Sequence, residues 1–421
     1  MGKGAKKKTG SQERGESQLT LKLAEFVRLN LMRFVIEEGM KALDRVLEDD
    51  RVALCGSAHA KRSDGQAVRW GHAEGRLVMG GHRVVVRKPR VRQDGKEAEL
   101  PSWAAFADED PLDERTCEQM VLGVSTRNYD RSLEPLPDEL GAHGASKSAV
   151  SRRFVAMTSR QLGRWMQQDL SELDLVALML DGIVVAKHTV VIALGFDKTG
   201  KKHPLGLWMG ETENAVVCGE LLDNLIDRGL DPLLPYLFVI DGSKALRKAI
   251  RERFGARSLV QRCQYHKRQN VIGHLPKRLH RSVGKALRDA HHSCSRKAAK
   301  TRLQKLAKQL LEDHPDAAAS IKEGLDETLT LKDMGLPPAL EKTLSTTNPI
   351  ENLNGSIRTV SSRVKRWRSG SMIKRWVATG VLEAQRGFHR VKGCKGIPIL
   401  IDALKQNAAA VDGVDQQRQA A

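Results

Sequence analysis

No stretch of this 421-residue sequence reaches the roughly 18 consecutive apolar residues needed to span a membrane as a helix, so no membrane partner is expected. The N-terminal lysines Lys3, Lys6, Lys7 and Lys8 lead into polar residues instead of an apolar signal core, and export is not expected. Six cysteines scattered over this length make no disulfide framework and read as reduced thiols. There is no internal repeat. Negative charge is in deficit: 51 acidic residues against 70 Lys and Arg leave a net charge of +19 and a pI near 9.8. That imbalance points to a polyanionic partner, most simply nucleic acid, and to a cytoplasmic, nucleoid-associated protein without a small-molecule substrate.

What is present falls into segments. Residues 1–17 are Lys/Gly-rich and expected to be disordered, and 18–66 form a helical N-terminal region. Within it Leu19, Leu23, Phe26, Val27, Leu31, Phe34, Val35, Leu43 and Leu47 recur at helical spacing over 18–48, as a core stripe or a dimer face. Residues 67–170 read as a DNA-binding region. Short strands with turns at Gly71, Gly75, Gly80 and Gly81 lead to the cationic run Arg87-Lys88-Pro89-Arg90-Val91-Arg92. Few acidic residues lie beside that run, which makes Arg90 and Arg92 candidate phosphate contacts. Three short helices are expected over 112–157, the second capped by Ser125 and the third by Ser146. In the third, Val150, Phe154 and Met157 share one face while Lys147, Ser148, Ser151 and Arg152 face out, the pattern a recognition helix of a helix-turn-helix requires.

From residue 171 the texture changes. Strand candidates at 174–180, 183–186, 189–196 and 204–209 precede a helix at 213–228, a strand at 236–240, a helix at 244–254 and a strand at 258–262. This order fits an RNase H-like sheet, whose first part would span 171–263. Residues 264–340 are almost wholly helical, the second part of the core would occupy 341–396, and 397–421 read as a C-terminal tail.

Two aspartates seal apolar runs: Asp181 in Leu-Val-Ala-Leu-Met-Leu-Asp-Gly and Asp241 in Tyr-Leu-Phe-Val-Ile-Asp-Gly. Ligands of α/β sheets gather at the carboxyl ends of strands. Mg²⁺ (or Mn²⁺) prefers hard oxygen donors and needs only one or two carboxylates per ion, so two ions could be shared here and completed by a third carboxylate. Glu351 is the candidate: Asn348-Pro349 starts a helix that carries Glu351 in its first turn and Arg358 two turns further along the same face, placed for a phosphate. Asp197, Glu211, Glu213 and Asp223 are competitors and read as turn, loop or exposed-helix residues. Cys263-x-x-His266 could be half of a zinc site with His291-x-x-Cys294, or could support the active site or DNA. A basic stretch carrying Arg363, Lys365, Arg366, Arg368, Lys374 and Arg375 interleaves with Trp367 and Trp376. Its cations suit phosphates, and its rings suit either base stacking or core packing.

These segments together resemble the Mutator-type insertion-sequence transposases of bacteria, which are DDE enzymes. The likeness rests on Leu-Asp-Gly at 180–182, Ile-Asp-Gly-Ser-Lys-Ala-Leu at 240–246, Arg-Cys-Gln-Tyr-His-Lys at 262–267 and Thr-Asn-Pro-Ile-Glu-Asn-Leu-Asn-Gly-Ser-Ile-Arg at 347–358. Upstream, 89–92, 123–127 and 146–151 follow the family pattern too, whereas residues 1–66 match least. The resemblance implies that Asp181, Asp241 and Glu351 are the triad, each a metal ligand, and that Cys263 and His266 are a family motif near the active site. The implied fold is an α/β RNase H-like catalytic core interrupted by an all-α insertion domain, preceded by a mainly helical DNA-binding and dimerisation region. The implied activity is binding of terminal inverted repeats in double-stranded DNA, metal-dependent cleavage and strand transfer into target DNA, through a circular, copying style of transposition. Holding two ends together calls for a dimer or larger synaptic complex. The rival readings are a non-catalytic, transposase-derived DNA-binding regulator and a junction-resolving nuclease on the same core.

Overall fold

A computed structural model describes residues 34, 37–58, 67–79, 82–108, 112–132, 146–211 and 214–420. The expectations for 1–17, for most of the 18–36 stripe and for Glu213 fall outside these residues. Two compact units are present, Met1–Met157 and Thr158–Ala421.

In the first unit, helix α1 (37–55) precedes the antiparallel strands β1 (Val68–Met79), β2 (His82–Gln93) and β3 (Lys96–Ala98), ordered β1-β2-β3. Leu43 and Leu47 of α1 are buried with Leu77, Val84, Val86 and Val91 of the strands, whereas Phe34 is exposed. The several short strands expected from the glycines are in fact two strands of 12 residues. Gly71, at φ +78°, is absorbed as a bulge where the β1–β2 register shifts between Arg69 and His72. Helices α2 (Pro101–Asp108), α3 (Leu112–Leu122) and α4 (Lys147–Met166) follow. Ser125 Oγ accepts from the Asn128 N–H in a turn, and a 3-10 segment follows at Asp130–Ser132, where a second helix was expected. Ser146 caps α4, its Oγ accepting from the Ala149 N–H at 3.3 Å. This helix runs nine residues beyond the expected end at 157; residues 158–166 belong to the second unit, where Leu162, Trp165 and Met166 join the apolar core.

The second unit is built on a five-stranded sheet ordered β6-β5-β4-β7-β8. Strands β4 (Leu175–Val185), β5 (His188–Asp197) and β6 (Lys202–Gly210) are antiparallel; after helix α5 (Ala215–Asp227), strand β7 (Leu237–Ile240) joins β4 in parallel. Helix α6 (Lys244–Phe254) then leads to β8 (Leu259–Arg262), parallel to β7. The two strands expected at 174–180 and 183–186 are one, since pairing with β5 carries β4 unbroken through Asp181 and Gly182.

Side chains alternate across the sheet. Leu178, Leu180, Phe238 and Ile240 meet α5 and α6 on one face; Ala177, Met179, Leu237 and Val239 face the other, where the C-terminal helices pack. The intervening chain forms helices α7 (Gln264–Gly273), α8 (Lys277–His291), α9 (Arg296–Leu310) and α10 (Pro315–Lys322), with an apolar core of their own, including Val271, Leu287, Leu303 and Ile321. A 3-10 segment at Asp326–Asp333 and helix α11 (Pro338–Leu344) return the chain to α12 (Asn348–Ser361), α13 (Gly370–Arg386) and α14 (Ile397–Ala420). Residues 397–420, read from sequence as a tail, are a helix because Ile397, Leu400 and Leu404 supply a stripe buried in the main core. Among the described residues no helix is long and apolar enough to cross a membrane.

The placement of α12 depends on close approach to α13: a Cβ on Gly380 would lie 2.8 Å from the Ile357 Cα. Gly380→Val is expected to lower the unfolding free energy by about 2 kcal/mol, the usual scale of overpacking, seen as a lower urea midpoint at unchanged slope.

Candidate active site

The parallel pairing of β4 with β7 ends at Leu180↔Ile240. The next residue after each is an aspartate, Asp181 within β4 and Asp241 just past the end of β7, and alternation turns Asp181 away from the face of Leu180, toward α12. Asp181 and Asp241 therefore emerge side by side. Asp241 lies in a tight turn: its Oδ1 accepts from the Ser243 N–H at 2.8 Å, and Ser243 Oγ caps α6 by accepting from the Leu246 N–H. Gly242 is required here, both for φ +110° and because a Cβ would sit 2.1 Å from the Arg262 Nε.

Glu351 comes from the first turn of α12, after Pro349 as the sequence predicts. Burial, and after it the charge of Asp241, push the Asp181 carboxyl up to about 7; His266 opposes the rise and Glu351 adds to it. Asp241 and Glu351 thus both act on Asp181 and lie in its electrostatic neighbourhood. Hard oxygen donors of this kind suit Mg²⁺ or Mn²⁺, whose charge would offset the repulsion, although the three carboxylates do not all lie within 4.8 Å of one another.

Two α12-side residues that sequence reading passed over hold the acids. Asn354, buried, donates from Nδ2 to the Asp181 Oδ2 at 2.7 Å, while Asp181 Oδ1 accepts from the Gly182 N–H at 3.0 Å. Thr347, also buried, has its Oγ1 at 2.6 Å from the Glu351 Oε1, 3.2 Å from the His266 Nδ1 and 3.3 Å from the Cys263 Sγ. One hydroxyl has one proton, and the short charge-assisted contact to the carboxylate claims it. Its oxygen can then accept from the His266 Nδ1–H. The signal for Asn354 was its spacing, one helical turn after Glu351; Thr347 carries no such mark beyond preceding a helix start.

Cys263 is fully buried and N-caps α7, its Sγ accepting from the N–H groups of His266 and Thr347, both at 3.4 Å. Burial pushes the thiol up, but the hydrogen bonds of His266 and Thr347 together outweigh it and leave it lowered. The hydrogen bond with Cys263 raises His266 to about 9 against burial, with the charges of Cys263, Glu351 and Asp241 helping. His266 Nε2 lies 3.8 Å from the Glu351 Oε1. Among the described residues the only cluster with metal-ligand proximity is Cys263, His266 and Glu351; His291 and Cys294 do not join it. The flanking Arg262 and Lys267 work elsewhere. Both are buried, and both donate to the Glu323 carbonyl at the end of α10, with Lys267 also bonding the Ser320 carbonyl.

The competing acids are otherwise engaged or remote in character. Asp197 accepts from the Thr199 and Lys201 N–H groups and contacts His203 in the β5–β6 turn. Asp223 pairs with Arg253, and Glu211 is an exposed residue beyond β6.

The candidate DNA contacts separate. Arg90 is paired with Glu97 of β3 at 2.8 Å, and Arg92 stacks on Trp70 with 4.3 Å to the ring centre. Lys147, Ser148, Ser151 and Arg152 are exposed on α4 while Val150 and Phe154 are buried, as the recognition-helix pattern requires. Arg358, Lys365, Arg366 and Arg368 are exposed. Trp376 is core, and Trp367 packs against that core. A further cationic feature escaped the sequence reading. Between 264 and 311 there are thirteen Lys and Arg and one carboxylate, Asp289. On α8, Lys277, Arg281, Lys285 and Arg288 form an exposed stripe opposite the buried Val283, Leu287 and Ala290.

The sequence pattern of the family described as transposase, Mutator family, matches residues 15–390. The chain is 28% identical to the transposase for insertion sequence element IS6120 of Mycolicibacterium smegmatis, over 56% of this chain and 72% of that protein. It is 30% identical to the IS406 transposase of Burkholderia multivorans, over 57% of this chain and 62% of that protein. With the transposase of IS256 in transposon Tn4001 of Staphylococcus aureus the identity is 26%, over 75% of this chain and 80% of the relative.

Thr347→Val keeps the shape of the side chain and leaves Glu351 and His266 without their shared partner. It is expected to cost about 1–3 kcal/mol in denaturant unfolding. Thr347→Ser, which keeps the hydroxyl, should stay within about 1 kcal/mol of the wild type.

Proposed function

We propose that this chain, which belongs to the Mutator family of transposases, is a DDE enzyme that binds the terminal inverted repeats of its insertion sequence, cleaves their ends and joins them to target DNA. The observation that carries the reading is the register Leu180↔Ile240, which sets Asp181 beside Asp241, together with the bond from Asn354 that ties the helix of Glu351 to Asp181. The strand order, three antiparallel strands followed by two parallel ones, is the order an RNase H-like core requires, and the 264–344 helices would be its insertion.

Asp181 and Asp241 would hold two Mg²⁺ or Mn²⁺ ions between them, with Glu351 completing the donor set. When bound, such a pair activates an attacking oxygen and stabilises a leaving one in phosphodiester chemistry. The chain's own part is to hold three mutually repelling carboxylates in place. The backbone turn at Gly242–Ser243 fixes Asp241, Thr347 fixes Glu351, and Asn354 fixes Asp181. No side chain in the site needs to act as a covalent nucleophile, since water serves cleavage and a 3′-hydroxyl serves joining. His266, carrying positive charge beside Glu351 and Asp241, lessens the repulsion and is suited to a nearby phosphate.

For DNA, the exposed face of α4 would read the repeat, and Arg358, Lys365, Arg366 and Arg368 would take phosphates near the site. The α8 stripe adds a second surface: the twelve residues from Lys277 to Arg288 cover about 16 Å, the axial length of about five base pairs. None of its four cations has an ion pair among the described residues, in contrast to Arg296 and Lys300, which meet Asp326 and Asp333. Synapsis of two ends calls for at least a dimer.

In a cleavage and joining assay on repeat-end DNA, Asp181→Asn and Glu351→Gln are expected to abolish metal-dependent nicking and strand transfer while repeat binding persists. Binding without cleavage by the wild type in Mg²⁺ and Mn²⁺ would favour a regulator, and preference for branched DNA of any sequence a junction nuclease. Arg281→Ala with Lys285→Ala should weaken duplex binding equally for repeat and unrelated DNA and reduce the slope of log K against log salt by about 2. An unchanged slope would remove α8 from the interface.

A further inference from the structure

We infer that Asn354 is a positioning residue for Asp181 and a tuning element for metal affinity, an inference that rests on the two-metal reading above. Asn354 is 1% exposed on α12, one turn from Glu351, and its Nδ2 donates to the Asp181 Oδ2 at 2.7 Å. Its Oδ1 is buried and has no hydrogen-bond partner. The orientation of the amide is settled by chemistry: a flipped Asn would set its carbonyl oxygen against a carboxylate and leave two N–H groups orphaned instead. A buried Asn with one half satisfied is a poor choice for packing alone, because an apolar residue of similar volume would fill the space without an unmet acceptor.

Both facts are explained if the site is built for its loaded state. Asp181 is held at both oxygens, by the Gly182 N–H on one and by Asn354 on the other. Each oxygen has accepted one hydrogen bond and keeps a lone pair for a cation, and the rotation that would carry the carboxylate away from Asp241 is blocked. The free Oδ1 is then the acceptor for a water molecule that enters with the cation. Hydrogen-bonded partners of metal-ligating carboxylates are worth about 10- to 100-fold in metal affinity. Because Asn354 and Glu351 share α12, the same bond links the position of the third carboxylate to the first.

The test uses the full chain and Mn²⁺ alone, with free Mn²⁺ counted by electron paramagnetic resonance and stability followed by thermal unfolding. Asn354→Leu loses a buried orphan but leaves Asp181 Oδ2 without its donor, so it is expected to melt close to the wild-type temperature, yet to bind Mn²⁺ at least tenfold more weakly. Asn354→Ala should show the same loss of affinity, and excess Mn²⁺ should restore its nicking of repeat-end DNA, which it cannot do for Asp181→Asn. Duplex binding in EDTA should stay within about twofold of wild type in both Asn354 variants. If both variants bind Mn²⁺ as the wild type does while Asp181→Asn binds none, Asn354 is structural only and the metal reading stands. A wild type that binds no Mn²⁺ would overturn this inference and the metal reading together.

Discussion

The pairing of β4 with β7 is the constraint on which the site depends. It is parallel, short and ended by two aspartates at the same level, Leu180 and Ile240 being the last partners. Strand alternation then leaves Asp181 no choice of face. Leu180 and Ile240 are committed to the core with α5 and α6, so Asp181 must project toward α12, with Asp241 beside it just past β7. The apolar runs that make the strands are thus also what aims the carboxylates. A shift of one residue in either strand would send an aspartate into the α5–α6 core, where an unpaired charge costs far more than a core methyl group gains. Register and site geometry are therefore selected by the same burial energy.

Bringing negative charges together is unfavourable, and the rest of the unit is arranged around that cost. Asp181 titrates near 7 because it is buried beside Asp241. Against this, α12 brings Asn354 to Asp181, and Thr347 just before it brings a hydroxyl to Glu351. The segment Arg262–Lys267 divides its labour by side-chain direction. Cys263 and His266 point to the Thr347–Glu351 network, while Arg262 and Lys267 grasp the carbonyl end of α10. One turn of chain thereby couples the acidic site to the 264–344 helices, whose 3-10 stretch also bonds β8 through Thr330 and Leu331. Burial lowers Lys267 to about 8, and the charge of Arg262 contributes, so the two cations sit close enough to compete for Glu323.

The positions of Asp181, Asp241 and Glu351 were legible because each stands at a break in a pattern: two ends of apolar runs and one first turn after Pro349. The sheet was legible for the same reason, nearly strand by strand. Sequence misplaced the end of β4, since Asp-Gly is ordinarily a turn and only pairing with β5 keeps it extended. It could not show Thr347 and Asn354 as partners of the acids, because a hydrogen bond across 173 positions, as between Asn354 and Asp181, leaves no periodic trace. Residues 397–420 were missed differently. Their stripe of Ile397, Leu400 and Leu404 is short, and only the core it meets makes it a helix with a purpose.

Positive charge makes the complementary point: a run of Lys and Arg in sequence says nothing about whether the charge is available. Arg90 sits in the most basic stretch of the first unit, yet Glu97 across the strand pair already meets it, and Arg69 is met by Glu48. Arg253 is likewise spent on Asp223. The four cations of α8 are spaced every three or four residues among apolar and polar ones, so they never form a conspicuous run. Helix geometry gathers them on one exposed face, and none of them has an ion pair among the described residues. A polyanion gains most where it releases counterions from cations the protein has not already neutralised. On that criterion the net charge of +19 would act less through the Arg87–Arg92 run than through α8, α4 and the 358–368 segment. Two of these three surfaces lie in the same unit as the carboxylates they would serve.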